Sequence, residues 1–186
     1  WKQYEKYVYS RPQTETPIAT YATTEANPVR QAEVVITGAN RHIMATANAK
    51  AEASQAAGAI PIAATLTRGD QLLGTGHNER VQRGDPIAHG EIACLRNAGR
   101  QASYAGTTLY TTLSPCSMCS GAILLFKIPR VVVAEATTFT GDLGFLTDRG
   151  VAVELLDDQQ CVELMSTFQQ RYPQIWAEDI GEESPS

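Results

Sequence analysis

The sequence predicts an α/β domain, with helices packed on a β-sheet, from three observations. Short segments rich in β-branched residues alternate with longer segments of helical character along most of the 186 residues. Hydrophobic residues make up 43% of the chain, which is enough for a sizeable core. Glycine and proline separate many of these segments. A chain of this length fits one domain, with room for an appendage.

Five segments predict strands, because they are short and rich in β-branched, aliphatic or aromatic residues. The Arg-Gly-Asp sequence after the first of them is interpreted as a hairpin turn rather than a cell-adhesion motif, since Gly and Asp favour turns. The predicted strands cover residues 60–66, 71–76, 107–112, 130–135 and 151–155.

Five further segments predict helices. The first, over 43–57, is rich in Ala, which has the highest helix propensity, and Gly58 ends it. After a polar loop over 77–88, a second helix begins near His89 and ends at Gly99. A third follows Pro115 and extends to about residue 126. The last two cover about 158–171, capped by Asp157 or Asp158, and 173–180.

Residues 1–41 differ from the rest, because they are rich in Thr, Ala, Gln and Pro and show no sustained period. We expect an N-terminal extension here, either poorly ordered or packed on the surface, and the functional domain over 42–186. The chain begins with Trp, so we expect a fragment or a processed product.

Charge and composition exclude several classes of function. The net charge is −5 and no basic block is present, so a grip on nucleic-acid phosphates is not expected. No apolar run approaches the roughly 20 residues of a membrane span. Two of the four cysteines, Cys94 and Cys161, fit buried free thiols in helices, which favours a reducing, cytoplasmic compartment, with the nucleus as an alternative. Because a nucleic-acid partner is not expected from the charge, a small molecule is the expected substrate.

The pattern most indicative of chemistry joins His89-Gly90-Glu91 to the later Pro115-Cys116-Ser117-Met118-Cys119. His89, Cys116 and Cys119 supply three zinc ligands and leave a fourth position for water, as in catalytic rather than structural sites. This joint pattern is typical of zinc-dependent nucleobase deaminases. Glu91 is then the expected proton carrier between water, the ring nitrogen and the leaving amine.

A Cys-x-x-Cys pair alone is often half of a structural zinc site or a redox pair. The redox interpretation leaves the His-x-Glu element unexplained. A structural site needs a fourth Cys or His at a fitting spacing, and the remaining candidates, His42, His77, Cys94 and Cys161, are isolated. The joint pattern therefore favours the catalytic site.

Four segments together resemble the fungal (yeast-type) cytosine deaminases of the cytidine and deoxycytidylate deaminase family, over roughly residues 43–182. The terminal Trp-x-Glu-Asp-Ile-Gly segment discriminates most among relatives, because the tRNA adenosine deaminases share the zinc motif but not this ending. The segments are Gly76-His77-Asn78, His89-Gly90-Glu91, Leu109–Cys119 and Trp176–Glu182.

This resemblance implies a three-layer α/β/α domain with a central mixed five-stranded sheet, one zinc ion per subunit and a homodimer. It implies hydrolysis of free cytosine, and of 5-fluorocytosine, in pyrimidine salvage, with the C-terminal helix as a lid. In the implied site, Asn78 and the Gly90 N–H hold the ring carbonyl, while Asp179 and the Ser114 carbonyl accept from the amine. The apolar contacts implied are Phe139, Trp176, Ile62 and Leu113.

Two departures from the family pattern are visible. Ser117 stands where the yeast-type enzymes usually have Asp, and Ala63-Ala64 replaces a Gly-Gly, which is expected to narrow the pocket wall. Several alternatives stay open at this point. They are a deaminase of guanine, creatinine or isocytosine, a tRNA adenosine deaminase, which the acidic charge disfavours, and a non-catalytic zinc-binding scaffold.

Overall fold

The computed structural model describes residues 38–56 and 58–182, and within them twelve helices and strands alternate along the chain. The strands are β1 (Ala63–Arg68), β2 (Gln71–His77), β3 (Thr107–Thr111), β4 (Arg130–Val133) and β5 (Ala152–Leu155). The helices are α1 (Gly38–Ala56), α2 (Arg80–Arg83), α3 (Gly90–Ala98), α4 (Ser117–Leu125), α5 (Leu143–Thr147), α6 (Gln159–Arg171) and α7 (Pro173–Ile180).

The five strands of the described residues form one mixed sheet in the order β2-β1-β3-β4-β5. The pairs β1/β2 and β1/β3 are antiparallel, whereas β3/β4 and β4/β5 are parallel. The carboxyl ends of β3 and β4 therefore open on the same edge as the start of β1. Loops that leave this edge meet one another, as at the ligand-binding edge of open α/β sheets.

Each face of the sheet has its own core. Leu109, Val131 and Val133 pack with Cys94 and Leu95 of α3 and with residues of α4 and α5 on one side. The intervening residues Tyr110 and Val132 point the other way, because successive side chains of a strand alternate, and pack with Met44, Ala47 and Cys161 of α1 and α6. This arrangement confirms the expected three-layer α/β/α fold with its mixed five-stranded sheet.

The helix α3 lies unusually close to the strands beneath it, and Gly74, Gly76 and Gly90 make this possible. A Cβ on Gly76 would lie 2.1 Å from the Cys94 nitrogen, which no side chain tolerates. A Cβ on Gly90 would lie 3.1 Å from the Ile62 carbonyl oxygen. The start of α3 is thus fixed directly against the start of β1, at the edge where the loops meet.

All ten predicted elements occur, with shifted ends. The first strand begins at Ala63 rather than residue 60, because Pro61 has no N–H to donate and the Ile62 N–H donates to the Ile60 carbonyl (2.8 Å) in a tight turn. The Asp158 carboxylate caps α6 by accepting from the Gln160 and Cys161 N–H groups, as expected.

The first helix begins five residues earlier than predicted, at Gly38. Asn40 explains this, since its buried amide donates to the Glu154 carboxylate on β5 (3.1 Å) and accepts from the Tyr110 hydroxyl (3.1 Å). Of the predicted extension over 1–41, residues 1–37 lie outside the described residues, and the division of the chain at residue 41 stays a prediction.

The short helices α2 and α5 were not predicted from the sequence. The first lies within the segment predicted as a polar loop over 77–88, and the second lies between β4 and β5. Among the helices that the structure describes, none has the length and apolar composition of a membrane span.

Candidate active site

Two helix N-termini meet at the sheet edge formed by the carboxyl ends of β3 and β4. Each of them carries a residue of the predicted zinc site. His89 is the N-cap of α3, and Cys116 is the N-cap of α4. Cys119 lies one turn further along α4 and is fully buried. The positive end of a helix favours the thiolate form of a cysteine, which is the form that binds metals.

The three predicted ligands are within reach of one ion. The ligand atoms of His89, Cys116 and Cys119 all lie within 4.8 Å of one another, and the His89 Nδ1 is 3.6 Å from the Cys116 Sγ. Tetrahedral zinc, with bonds of about 2.0 Å to nitrogen and 2.3 Å to sulfur, separates its ligand atoms by roughly 3.5–3.8 Å. The residues present therefore fit zinc, with Nδ1 as the histidine ligand.

The two thiols of the site have pKa values shifted in opposite directions. A hydrogen bond from Cys119, with the nearby His89, lowers the pKa of the Cys116 thiol to about 4. The pKa of Cys119 is raised, because its proton is held in this hydrogen bond and the side chain is buried. Cys116 is thus a thiolate at neutral pH before any metal arrives, and metal binding has to displace only the second proton.

Glu91 lies beside the ligands without being one of them. Its side chain is buried, with 3% of its surface exposed, and burial raises the pKa of its carboxyl group. The Thr111 hydroxyl contacts Oε1 (3.0 Å), and the Cys119 thiol contacts Oε2 (3.3 Å). A carboxyl group with a raised pKa can both accept and return a proton near neutral pH.

A narrow pocket extends from these residues toward the C-terminal helix. Phe139 and Trp176 close its far side with their rings edge to face, 5.5 Å apart and at 84°. The pocket brings together nine of the twelve predicted site residues, plus Ile180, which the sequence did not indicate. Its lining comprises Ile62, His89, Glu91, Leu113, Ser114, Cys116, Phe139, Trp176, Asp179 and Ile180.

Three predicted residues do not line this pocket. Cys119 contacts the Glu91 carboxyl group, and Gly90 forms the first turn of α3. Asn78 lies behind Asp179, to which its Nδ2 donates (2.8 Å), while its Oδ1 accepts from the Arg80 N–H (3.0 Å). These contacts use one of the two Asn78 amide N–H groups.

Asp179, on the C-terminal helix, lies near the predicted metal site. Its Oδ1 lies 3.7 Å from the His89 Nε2, the ring nitrogen that faces away from Cys116. Burial raises the pKa of the Asp179 carboxyl group, although His89 and Asn78 oppose this shift. The C-terminal helix thereby places a carboxyl group near the histidine ring and supplies part of the pocket lining.

The loop that carries Phe139 is held by Glu135, which sequence reasoning missed. The fully buried Glu135 carboxylate accepts from the Thr137 N–H (2.7 Å) and from the N–H (3.0 Å) and hydroxyl of Thr138. Its backbone carbonyl also accepts from the Ser114 N–H (2.9 Å). The sequence signal for this role was an acidic residue at the end of a predicted strand.

Comparisons with known proteins agree with this geometry. Residues 37–135 match the family model described as the cytidine and deoxycytidylate deaminase zinc-binding region. The chain belongs to the cytidine and deoxycytidylate deaminase family. It is a zinc-dependent deaminase, and the ligand set His89, Cys116 and Cys119 fits that cofactor.

Two relatives named as deaminases and one solved structure are similar to this chain. A cytosine deaminase of Candida albicans is 48% identical over 136 residues, or 72% of this chain and 91% of the relative. A tRNA-specific adenosine deaminase of Haemophilus influenzae is 34% identical over 134 residues, or 65% and 78%. The structure of NE0047 in complex with 2,6-diaminopurine has a TM-score of 0.63 and 25% identity, and the alignment covers 72% of this chain and 83% of that one.

The two departures from the family pattern lie outside the described pocket. Ser117 is exposed and lines an outer cleft that it shares with His89, Cys116 and Asp179. Ala64 belongs to the core beneath α3, and Ala63 packs its backbone against Gly90. The pocket wall at this point is Ile62, so the two alanines do not narrow this deaminase's pocket directly.

Proposed function

We propose that this deaminase hydrolyses free cytosine to uracil and ammonia. The observation that carries the proposal is a narrow pocket lined by the carboxyl groups of Glu91 and Asp179 and by the rings of Phe139 and Trp176. Two carboxyl groups beside aromatic rings match the chemistry of a planar ring with one exocyclic amine. The 48% identity to a protein named cytosine deaminase, over 91% of that protein, supports the same substrate.

His89, Cys116 and Cys119 would hold the zinc ion. Zinc, when bound by three protein ligands, lowers the pKa of water to about 7 and so supplies a nucleophile at neutral pH. The chain contributes two prepared features, the low pKa of Cys116 and the placement of the His89 Nδ1 toward that thiol.

Glu91 would move the protons of the reaction. It takes one proton from the attacking water and delivers it to the ring nitrogen N3. It then takes the proton of the added hydroxyl group and transfers it to the departing amine, which leaves as ammonia while the new ring carbonyl of uracil forms. Burial suits Glu91 to this exchange, because the raised pKa brings its protonated and ionised forms closer in free energy.

Residues of the pocket, together with Asn78 and Gly90 next to it, would orient the ring. Asp179 and the Ser114 carbonyl accept from the exocyclic amine, while the remaining Asn78 N–H and the Gly90 N–H donate to the ring carbonyl. An unpaired polar group in such a buried site costs about 1–3 kcal/mol, so a ring with a different edge is disfavoured. The apolar faces of the ring would contact Ile62, Leu113, Phe139 and Trp176.

We further propose a cytoplasmic homodimer that acts in pyrimidine salvage and also accepts 5-fluorocytosine. A free base rather than a nucleic acid is the proposed substrate, because α7 covers the pocket and the net charge is −5. A tRNA adenosine deaminase is the second candidate, because relatives with that name match this chain at 34% identity.

Ammonia release from a panel of substrates tests the proposal. The panel contains cytosine, 5-fluorocytosine, isocytosine, creatinine, guanine and a tRNA anticodon stem-loop, each with protein carrying one zinc per chain. We expect release from the first two at the highest kcat/KM. A zinc-loaded protein that leaves cytosine untouched but deaminates another substrate would overturn the assignment, and inactivity toward all would favour a non-catalytic scaffold.

A further inference from the structure

Thr111 is a polar residue at a position where the fold otherwise places apolar side chains. It ends β3 on the same face as Leu109, which packs in the core under α3. Its side chain is fully buried, with no exposed surface. The Thr111 backbone pairs with Ala64 and Val133 on the two neighbouring strands, so its position is fixed by the centre of the sheet.

The Thr111 hydroxyl faces two oxygens and has one proton, so it donates to one of them at a time. Its Oγ1 lies 3.0 Å from the Glu91 Oε1 and 3.0 Å from the Leu113 carbonyl oxygen. Leu113 is a residue of the pocket wall. The hydroxyl therefore connects the carboxylate to the loop between β3 and the first cysteine ligand.

The two oxygens of Glu91 are distinguished by this contact. Oε1 is held toward the sheet by Thr111, whereas Oε2 faces the Cys119 sulfur at 3.3 Å. A carboxylate that rotates freely would present either oxygen, or neither, to the metal site. One fixed oxygen determines where the other points.

We propose that Thr111 is a positioning residue for the deamination, which holds Glu91 so that Oε2 faces the metal site and the substrate ring. This inference rests on the proposed role of Glu91 as the proton carrier. Misplacing a reacting group by about 1 Å can cost up to about a hundredfold in rate. The contribution of Thr111 should therefore fall on kcat, with little effect on KM.

The test compares T111V, which keeps the shape but removes the hydroxyl, with T111S, which keeps the hydroxyl. T112V is the matched control, because the Thr112 hydroxyl is also buried but accepts from the Ala63 N–H (3.0 Å), away from Glu91. Each variant is assayed for zinc content, for kcat and KM with cytosine, and by crystallography of the zinc-loaded protein. If T111V does not fold, T111A takes its place.

We expect T111V to retain one zinc per chain, to lose about tenfold or more in kcat with KM within about twofold, and to show a displaced Glu91 carboxylate. T111S and T112V should keep the wild-type carboxylate and kcat within about threefold. An unmoved Glu91 in T111V, an unchanged kcat, or an equal loss in T112V would each overturn the proposal. If the wild type releases no ammonia from cytosine, the proposed substrate fails, but the position of Glu91 in T111V still tests Thr111.

Discussion

The pocket has two sides that the chain builds in different ways. The metal side consists of His89, Glu91, Cys116 and Cys119, which lie in the first turns of two helices packed on the sheet. The cover side consists of Phe139, Trp176 and Asp179, which come from a loop and the C-terminal helix α7. On the metal side, the backbones of α3 and β2 pack so closely that Gly76 has no room for a Cβ. On the cover side, α7 is held by contacts between side chains.

This difference suggests a division of work between the two sides. The metal side fixes reacting groups, which must keep their positions to small fractions of an ångström. The cover side recognises the ring and has to let substrate enter and product leave. Changes on the metal side should therefore remove the chemistry, and changes on the cover side should weaken or redirect recognition.

The largest expected effect is at Glu91. E91Q should lower kcat by about 10²–10⁴-fold, because the amide cannot carry a proton, while zinc stays at one ion per chain. Steady-state kinetics with zinc analysis by mass spectrometry checks both outcomes. Loss of zinc in E91Q would instead make Glu91 a structural support of the metal site.

The thiols give the second test. Burial raises the pKa of Cys94 and of Cys161 to about 12, against 9.0 for a free thiol, so each carries about a thousandfold less thiolate. Iodoacetamide at pH 7.5 should alkylate Cys116 in the zinc-free protein, and bound zinc should block this reaction. Cys94 and Cys161 should stay unmodified in the zinc-free and in the zinc-loaded protein. Peptide mapping gives the rates, and rapid alkylation of the core thiols in folded protein would contradict the account.

The same two core thiols set a pH dependence of stability. Their pKa values are higher in the folded than in the unfolded chain, so the folded state keeps protons that the unfolded state loses. The stabilisation is present below about pH 9 and is lost as the pH rises toward 12. Urea unfolding at pH 8 and pH 10 should show the decrease, and C94A together with C161A should reduce it.

On the cover side, D179N should lower kcat/KM for cytosine about 10- to 100-fold. The single amide oxygen of Asn is needed by the Asn78 N–H, so its NH2 group faces the substrate amine and leaves that donor unpaired, at a cost of about 1–3 kcal/mol. Zinc should remain bound, since Asp179 is not one of the proposed ligands. E182Q, at an exposed carboxylate just beyond α7, is the matched control and should act like wild type. Equal effects of the two substitutions would remove Asp179 from the recognition site.

The smallest effect is expected at the rim, where Arg80 pairs with Glu178 of α7 (3.1 Å). Because the Glu178 side chain is 60% exposed, the pair should contribute only about 0.2–1 kcal/mol, and R80M should raise KM less than about fivefold. R83M, which breaks a pair with Glu79, is the control. A tenfold or larger rise in KM, insensitive to salt, would show that Arg80 does more than hold the helix.

The metal side could be predicted almost completely from the sequence, because its residues follow short motifs at fixed spacing. The cover residues Trp176 and Asp179 came only from the resemblance, since a Trp and an Asp on a terminal helix have no distinctive pattern. Thr111 was missed for a related reason. A threonine in a β-branched segment is expected in any strand, and its contact with Glu91 depends on how α3 lies across β3.

In the fold, too, features that depend on local sequence could be predicted, whereas features that depend on contacts between distant residues could not. Periodicity and turn residues located the strands and the longer helices, because those signals are local. The early start of α1 depends on Asn40 reaching Glu154, 114 residues away, and no local pattern contains that contact. The sheet order likewise follows from packing between segments far apart in the chain.

One crystal structure would test the central claim most directly, that the two sides meet on a single cytosine ring. E91Q protein loaded with zinc and soaked with cytosine should show one anomalous peak, bonded to the His89 Nδ1 and the sulfurs of Cys116 and Cys119. The ring should lie under Phe139 and Trp176, with its amine directed toward Asp179 and the Ser114 carbonyl. Zinc on other ligands, or a cytosine whose amine points away from Asp179, would contradict the account.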